Sequence, residues 1–73
     1  MIYEVIKEIK NDCANNQMRD VFFEEAEIAD PDVWVRAKMP KADSIEKEEI
    51  PNGLRYHVDD HGIPVVFTLT KVD

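Results

Sequence analysis

Apolar residues at the start of the chain fall at Ile2, Val5, Ile6, Ile9 and Cys13, steps of three and four that line one side of a helix. Lys7, Glu8, Lys10, Asn11 and Asp12 occupy the other side, and Asn15 and Asn16 suit the left-handed conformation in which helices commonly end. The spacing predicts an N-terminal helix from Ile2 to about Asn16. A helix this short is not stable alone and needs a surface for its apolar stripe.

From Arg19 onward the period shortens. Aromatic and β-branched residues alternate with charges over Arg19 to Ile28, Asp32 to Met39, Leu54 to Val58 and Ile63 to Val72, which predicts four strands. Ala29-Asp30-Pro31-Asp32 supplies a proline and backbone-bonding aspartates for a tight turn between the first two. Residues 44–50 admit two readings. Asp43 with Glu46 matches the capping box of a short helix, whereas the charges of Glu46, Lys47, Glu48 and Glu49 suit an exposed edge strand feeding a Pro51-Asn52-Gly53 hairpin turn. The edge strand is preferred. The resulting fold class is α+β, an N-terminal helix packed on one face of a mainly antiparallel sheet of four or five strands.

With 73 residues the chain forms a single small domain. Its 44% hydrophobic and 34% charged residues are too apolar for disorder and too interrupted by charge for a membrane span. Glu4, Lys7, Glu8 and Lys10 break up the segment where a secretion signal would need an unbroken apolar run, so a cytoplasmic location is expected. The lone Cys13 cannot form an internal disulfide and reads as a small apolar core residue. A formal net charge of −7 repels phosphate and anionic lipid, which argues against direct nucleic-acid binding and against a membrane partner.

The segment His57-Val58-Asp59-Asp60-His61-Gly62 gathers metal-ligand residue types. Alternation puts His57 on a strand opposite in facing to Tyr56 and Val58, while Asp59 to Gly62 reads as a turn, with Gly62 suited to a positive φ. No third firm ligand is identifiable, so neither a metal nor another cofactor is expected. Catalysis finds little support either. Ser44, the single serine, has no histidine placed by sequence to act as its base. Both glycines sit in turns, so no phosphate-cradling loop exists. A non-enzymatic protein is expected.

The second strand, read by alternation, sets Val33, Val35, Ala37 and Met39 against Asp32, Trp34, Arg36 and Lys38. If the aliphatic set faces the helix, the tryptophan emerges on the far face beside Arg55 and His57, joined by either Phe22 or Phe23. Trp34, Arg36, Lys38, Arg55 and His57 are therefore the candidate binding residues, a composition favoured at protein contacts. The plainer reading makes Trp34 a satellite core residue under a cationic stem. The expected function is a small acidic binding module that contacts protein, as a homo-oligomer or an adaptor. The alternative is an acidic inhibitor that imitates nucleic-acid phosphates with its glutamates and blocks a basic site on a partner.

Overall fold

The computed structural model describes the backbone of residues 1–13 and 16–72, and the side chains of these except 11–13 and 16–19. Five strands and one helix follow in the order β1 (Ile2–Cys13), β2 (Asn16–Glu27), α1 (Pro31–Lys38), β3 (Ser44–Ile50), β4 (Gly53–Asp60) and β5 (Ile63–Lys71). The strands form one antiparallel sheet in the order β2-β1-β5-β4-β3.

The N-terminal segment is a strand, which corrects the expected helix and with it the expected fold class. Its apolar residues fit either period, but Ile2, Val5, Ile6 and Ile9 are all β-branched, and such side chains favour the pleated sheet over the helix. In the strand, Tyr3 and Val5 point into the core, while Ile6 points to the opposite face. The expected stop at Asn15 and the expected burial of Cys13 lie outside the described side chains.

The second correction concerns the strand expected over Asp32 to Met39: residues 31–38 are helical and not extended. Asp30 is no hairpin turn residue. It is the N-cap, its carboxylate accepting from the backbone N–H of Asp32 at 3.1 Å and of Val33 at 3.4 Å. Pro31 occupies the first turn, where its missing N–H costs nothing, Asp32 meets the positive end of the helix dipole, and Arg36 and Lys38 meet the negative end. Eight residues cannot hold a helix by themselves. Val35 is fully buried, and the Trp34 ring stands edge-on to Phe67 at 6.1 Å between centroids.

The helix carries the chain from one sheet edge to the other across a single face. Beneath it lie Tyr3 and Val5 of β1, Tyr56 and Val58 of β4, and Val65, Phe67 and Leu69 of β5, joined by Ile28 and Val35. Apart from the two tyrosines, no polar or charged residue is buried among the described residues. No helix among the described residues covers the opposite face. There Phe23, Ile6, Thr68, Arg55 and Glu48 form one cross-strand row, and Val21, Glu8, Val66, His57 and Glu46 the next.

Both short hairpins have turn chemistry that matches their sequence. Ile50 pairs with Gly53, leaving Pro51 and Asn52 as a two-residue turn in which Asn52 takes φ 65°. Asp60 pairs with Ile63, leaving His61 (φ 53°) and Gly62 (φ 85°). Two consecutive positive φ values match the strand twist. Residues 44–50 form the charged edge strand, and Asp59 and Asp60, expected in the turn, end β4 instead.

Candidate functional site

The five candidate binding residues are not brought together. Trp34, Arg36 and Lys38 lie on α1, on the covered side of the sheet, and Arg55 and His57 lie on the opposite face of β4. Helical rather than extended geometry at residues 31–38 is the cause, since it removes the alternation that placed the indole outside. Trp34 is half-buried against Phe67 with the Lys38 ammonium 5.1 Å from its ring centroid, the plainer of the two sequence readings. Arg36 is exposed on the helix.

Arg55 and His57 are already engaged. His57 Nε2 lies 3.0 Å from Glu48 Oε1 on the neighbouring strand, and Arg55 Nη1 donates to the same oxygen at 3.5 Å. The His57 bond, helped by the Arg55 guanidinium, holds the Glu48 carboxyl below the usual carboxylate range. His61, in the turn, has its Nδ1 3.7 Å from Asp43 and its backbone N–H bonded to the same carboxylate at 3.1 Å, and Asp59 accepts from Gly62 N–H at 2.9 Å. The two histidines thus serve separate local contacts. Among the described residues no three His, Cys, Asp or Glu side chains gather in a way that could hold a metal ion.

On the covered side, Tyr56 Oη donates to Asp32 Oδ1 at 2.5 Å, tying the start of α1 to the middle of the sheet. Burial first, and then this bond, push the Tyr56 phenol well above its ordinary value. The same bond, with the Lys47 ammonium 3.6 Å away, holds Asp32 below the usual carboxylate range. Since the phenol is raised on folding, its contribution is complete below the ordinary value of 10.0 and is lost as pH climbs beyond it. For Asp32, lowered on folding, the contribution holds above the ordinary 3.8 and is lost as pH falls. Tyr56→Phe should therefore lose about 1 kcal/mol at neutral pH, the exposure of Asp32 limiting the bond's worth. It should also flatten the alkaline limb of stability. Urea midpoints at neutral pH and at about pH 11 check both points, and an unchanged alkaline limb in the variant counts against the contact.

The feature that the sequence only half revealed is β2. It is an edge strand of 12 residues, paired with β1 along one side and, among the described residues, with no strand along the other. Val21, Phe22 and Phe23 are consecutive on it and 41%, 55% and 69% exposed. Alternation sends Phe22 to the covered side, where Lys7 bridges it to the core, the ammonium 6.0 Å from the Phe22 centroid and 5.6 Å from that of Phe67. Phe23 and Val21 take the bare side next to Ile6 and Glu8. Between α1 and this strand opens a cleft of about 290 Å³ lined by Phe22, Phe23, Glu24, Lys7, Trp34 and Lys38, among others. Consecutive phenylalanines were the available signal. They had to occupy both faces of any strand, and only their place at an edge makes both accessible.

The two edges of the sheet are unlike. β3 presents Glu46, Lys47, Glu48 and Glu49, charges that discourage a further strand from adding. β2 is charged as well, at Asp20 and at Glu24, Glu25 and Glu27, but these charges flank three adjoining apolar residues at its middle, which β3 lacks. Comparison with known proteins finds no matching family model, no matching curated protein and no matching solved structure, so the functional reading rests on this geometry.

Proposed function

We propose that this protein is a non-enzymatic, cytoplasmic binding module that contacts protein through the free edge of β2 and the aromatic residues flanking it. One observation carries the reading: Val21, Phe22 and Phe23 are exposed side by side on a long edge strand, whereas the opposite edge strand has no run of adjoining apolar residues. An edge of this kind offers a row of backbone donors and acceptors for strand addition, and the aromatic side chains on either face supply the apolar anchors that dominate contact energies.

Chain composition fits this role. Nine basic residues are interspersed among the sixteen acidic ones, and Glu48 and Asp32 are engaged by neighbouring side chains, which favours this role over imitation of nucleic acid. No helix among the described residues is long and apolar enough to cross a membrane.

The test is the double variant Phe22→Ser with Phe23→Ser. Both rings are largely exposed, so its melting temperature should stay close to that of the parent. Complex formation, whether seen by sedimentation or by capture of a binding protein, should weaken at least tenfold, the loss expected when exposed aromatic anchors are removed. Equal complex formation by parent and variant rejects the β2 edge as the contact.

A further inference from the structure

We propose that the occupant of the β2 edge is a second copy of this chain, its β2 antiparallel to the first about a two-fold axis at Phe22, so that two five-stranded sheets join into one. The inference rests on β2 being the contact edge and adds the partner and its register.

Symmetry limits the registers. A two-fold axis normal to the sheet keeps equivalent faces on the same side, so residues opposite one another across the seam are both even or both odd in number. Two registers in the neighbourhood set Asp20, or Glu24, against its own copy. A third sets Phe22 opposite Asp20, and a fourth sets Phe22 opposite Glu24 and Val21 opposite Glu25. The register centred on Phe22 alone pairs every apolar residue with an apolar one: Phe22 with Phe22 of the second copy, and Val21 with Phe23 in both directions. Aromatic and β-branched partners are pairs that stabilise adjoining strands.

Its adverse pair, Asp20 opposite Glu24, occurs in both directions, so four carboxylates flank Phe22 at the seam. Lys7 pairs with Phe22 in β1 and is the diagonal neighbour of both carboxylates, and Lys38 lines the same cleft as Glu24, so each copy brings two ammonium groups to that side of the seam. Other self-contacts are poorer. Stacking the bare faces would bring together two surfaces that each carry Glu4, Glu8, Glu25 and Glu27, and pairing β3 with β3 about Lys47 would set Glu46 against Glu48.

Cysteine cross-linking reads the register. In a Cys13→Ser background, Phe22→Cys, Val21→Cys and Phe23→Cys are each oxidised mildly, and the unsubstituted chain is run in sedimentation equilibrium. Directly opposite residues stand about 4.5–5.5 Å apart at Cβ and diagonal ones about 7–8 Å, and a disulfide needs about 4 Å. Phe22→Cys should therefore form a covalent dimer at least tenfold faster than the other two, and the parent should sediment as a dimer. Faster linkage at position 23 or 21, or equal rates at all three, overturns the register. A parent that stays monomeric at about 1 mM overturns the second copy. If such a monomer still loses capture of another protein on Phe22→Ser with Phe23→Ser, the edge reading survives and this inference alone fails.

Discussion

Phe67→Ala is expected to lower stability by about 3–5 kcal/mol, the cost of removing a buried aromatic ring whose surroundings collapse only partly. Phe67 lies at the middle of β5, itself the central strand, between Lys7 of β1 and Tyr56 of β4. It is almost wholly buried and is the ring against which Trp34 stands. Its loss therefore opens the sheet and undocks α1 together. A chain of this size has a total stability of roughly 4–11 kcal/mol at ordinary values per residue. The variant should consequently be close to unfolded at room temperature, as measured by urea titration with tryptophan fluorescence as the probe. Phe67→Leu, which keeps most of the volume, should lose less than half as much. A loss below about 1 kcal/mol for the alanine variant would place the ring outside the core and contradict the packing of α1.

Gly53→Ala should be nearly as damaging, for a different reason. Gly53 has no positive φ to accommodate; the constraint is space. A β-carbon at this position would stand 1.9 Å from the Leu69 carbonyl oxygen and 2.9 Å from its carbon. Those are backbone atoms of the strand facing it, so no side-chain rotation relieves the clash. Either the start of β4 withdraws from β5, breaking the pairing of Gly53 with Thr70, or β5 shifts and disturbs the fully buried Leu69. A destabilisation of about 3 kcal/mol follows, at the upper end for overpacking because the obstacle is main chain. Gly62→Ala serves as the comparison. Nothing lies within contact distance of a β-carbon there, and only the φ of 85° opposes it, so its cost should be about 1 kcal/mol. Equal midpoints for the two variants in urea would argue against the close approach of β4 and β5.

The meander of β3, β4 and β5 was legible in the chain because its signals are local. Leu54, Tyr56 and Val58 alternate with Arg55 and His57, Pro51-Asn52 and His61-Gly62 mark the turns, and the charges of residues 46–49 mark an edge. The helix was legible too, but in a different signal from the one followed. Val33 to Met39 alternates well enough to read as a strand, yet Val33 is 62% exposed and only Val35 is fully buried, as one helical face requires. Asp30, Pro31 and Asp32, read as a hairpin turn, are an N-cap, a first-turn proline and a first-turn acid. At the N-terminus the three-and-four spacing outweighed the β-branched character of the same residues.

The candidate site failed at the same place as the helix. Once residues 31–38 coil, Trp34 turns toward Phe67 and parts company with Arg55 and His57. The exposure of Phe22 and Phe23 together was beyond local reading, because it depends on which strand ends the sheet. That is decided by the pairing of β1 with β5, Tyr3 opposite Lys71, a contact between the two ends of the chain that no short-range pattern encodes.

Amide hydrogen exchange followed residue by residue as the protein concentration is raised tests the central claim most directly, because it asks which sheet edge is used. In dilute solution the alternate amides of β2 directed away from β1 should exchange freely, and with rising concentration those between Asp20 and Glu24 should become protected while the amides along β3 stay unchanged. Protection that grows along β3 or over α1, or a β2 edge whose exchange is indifferent to concentration, would contradict the account.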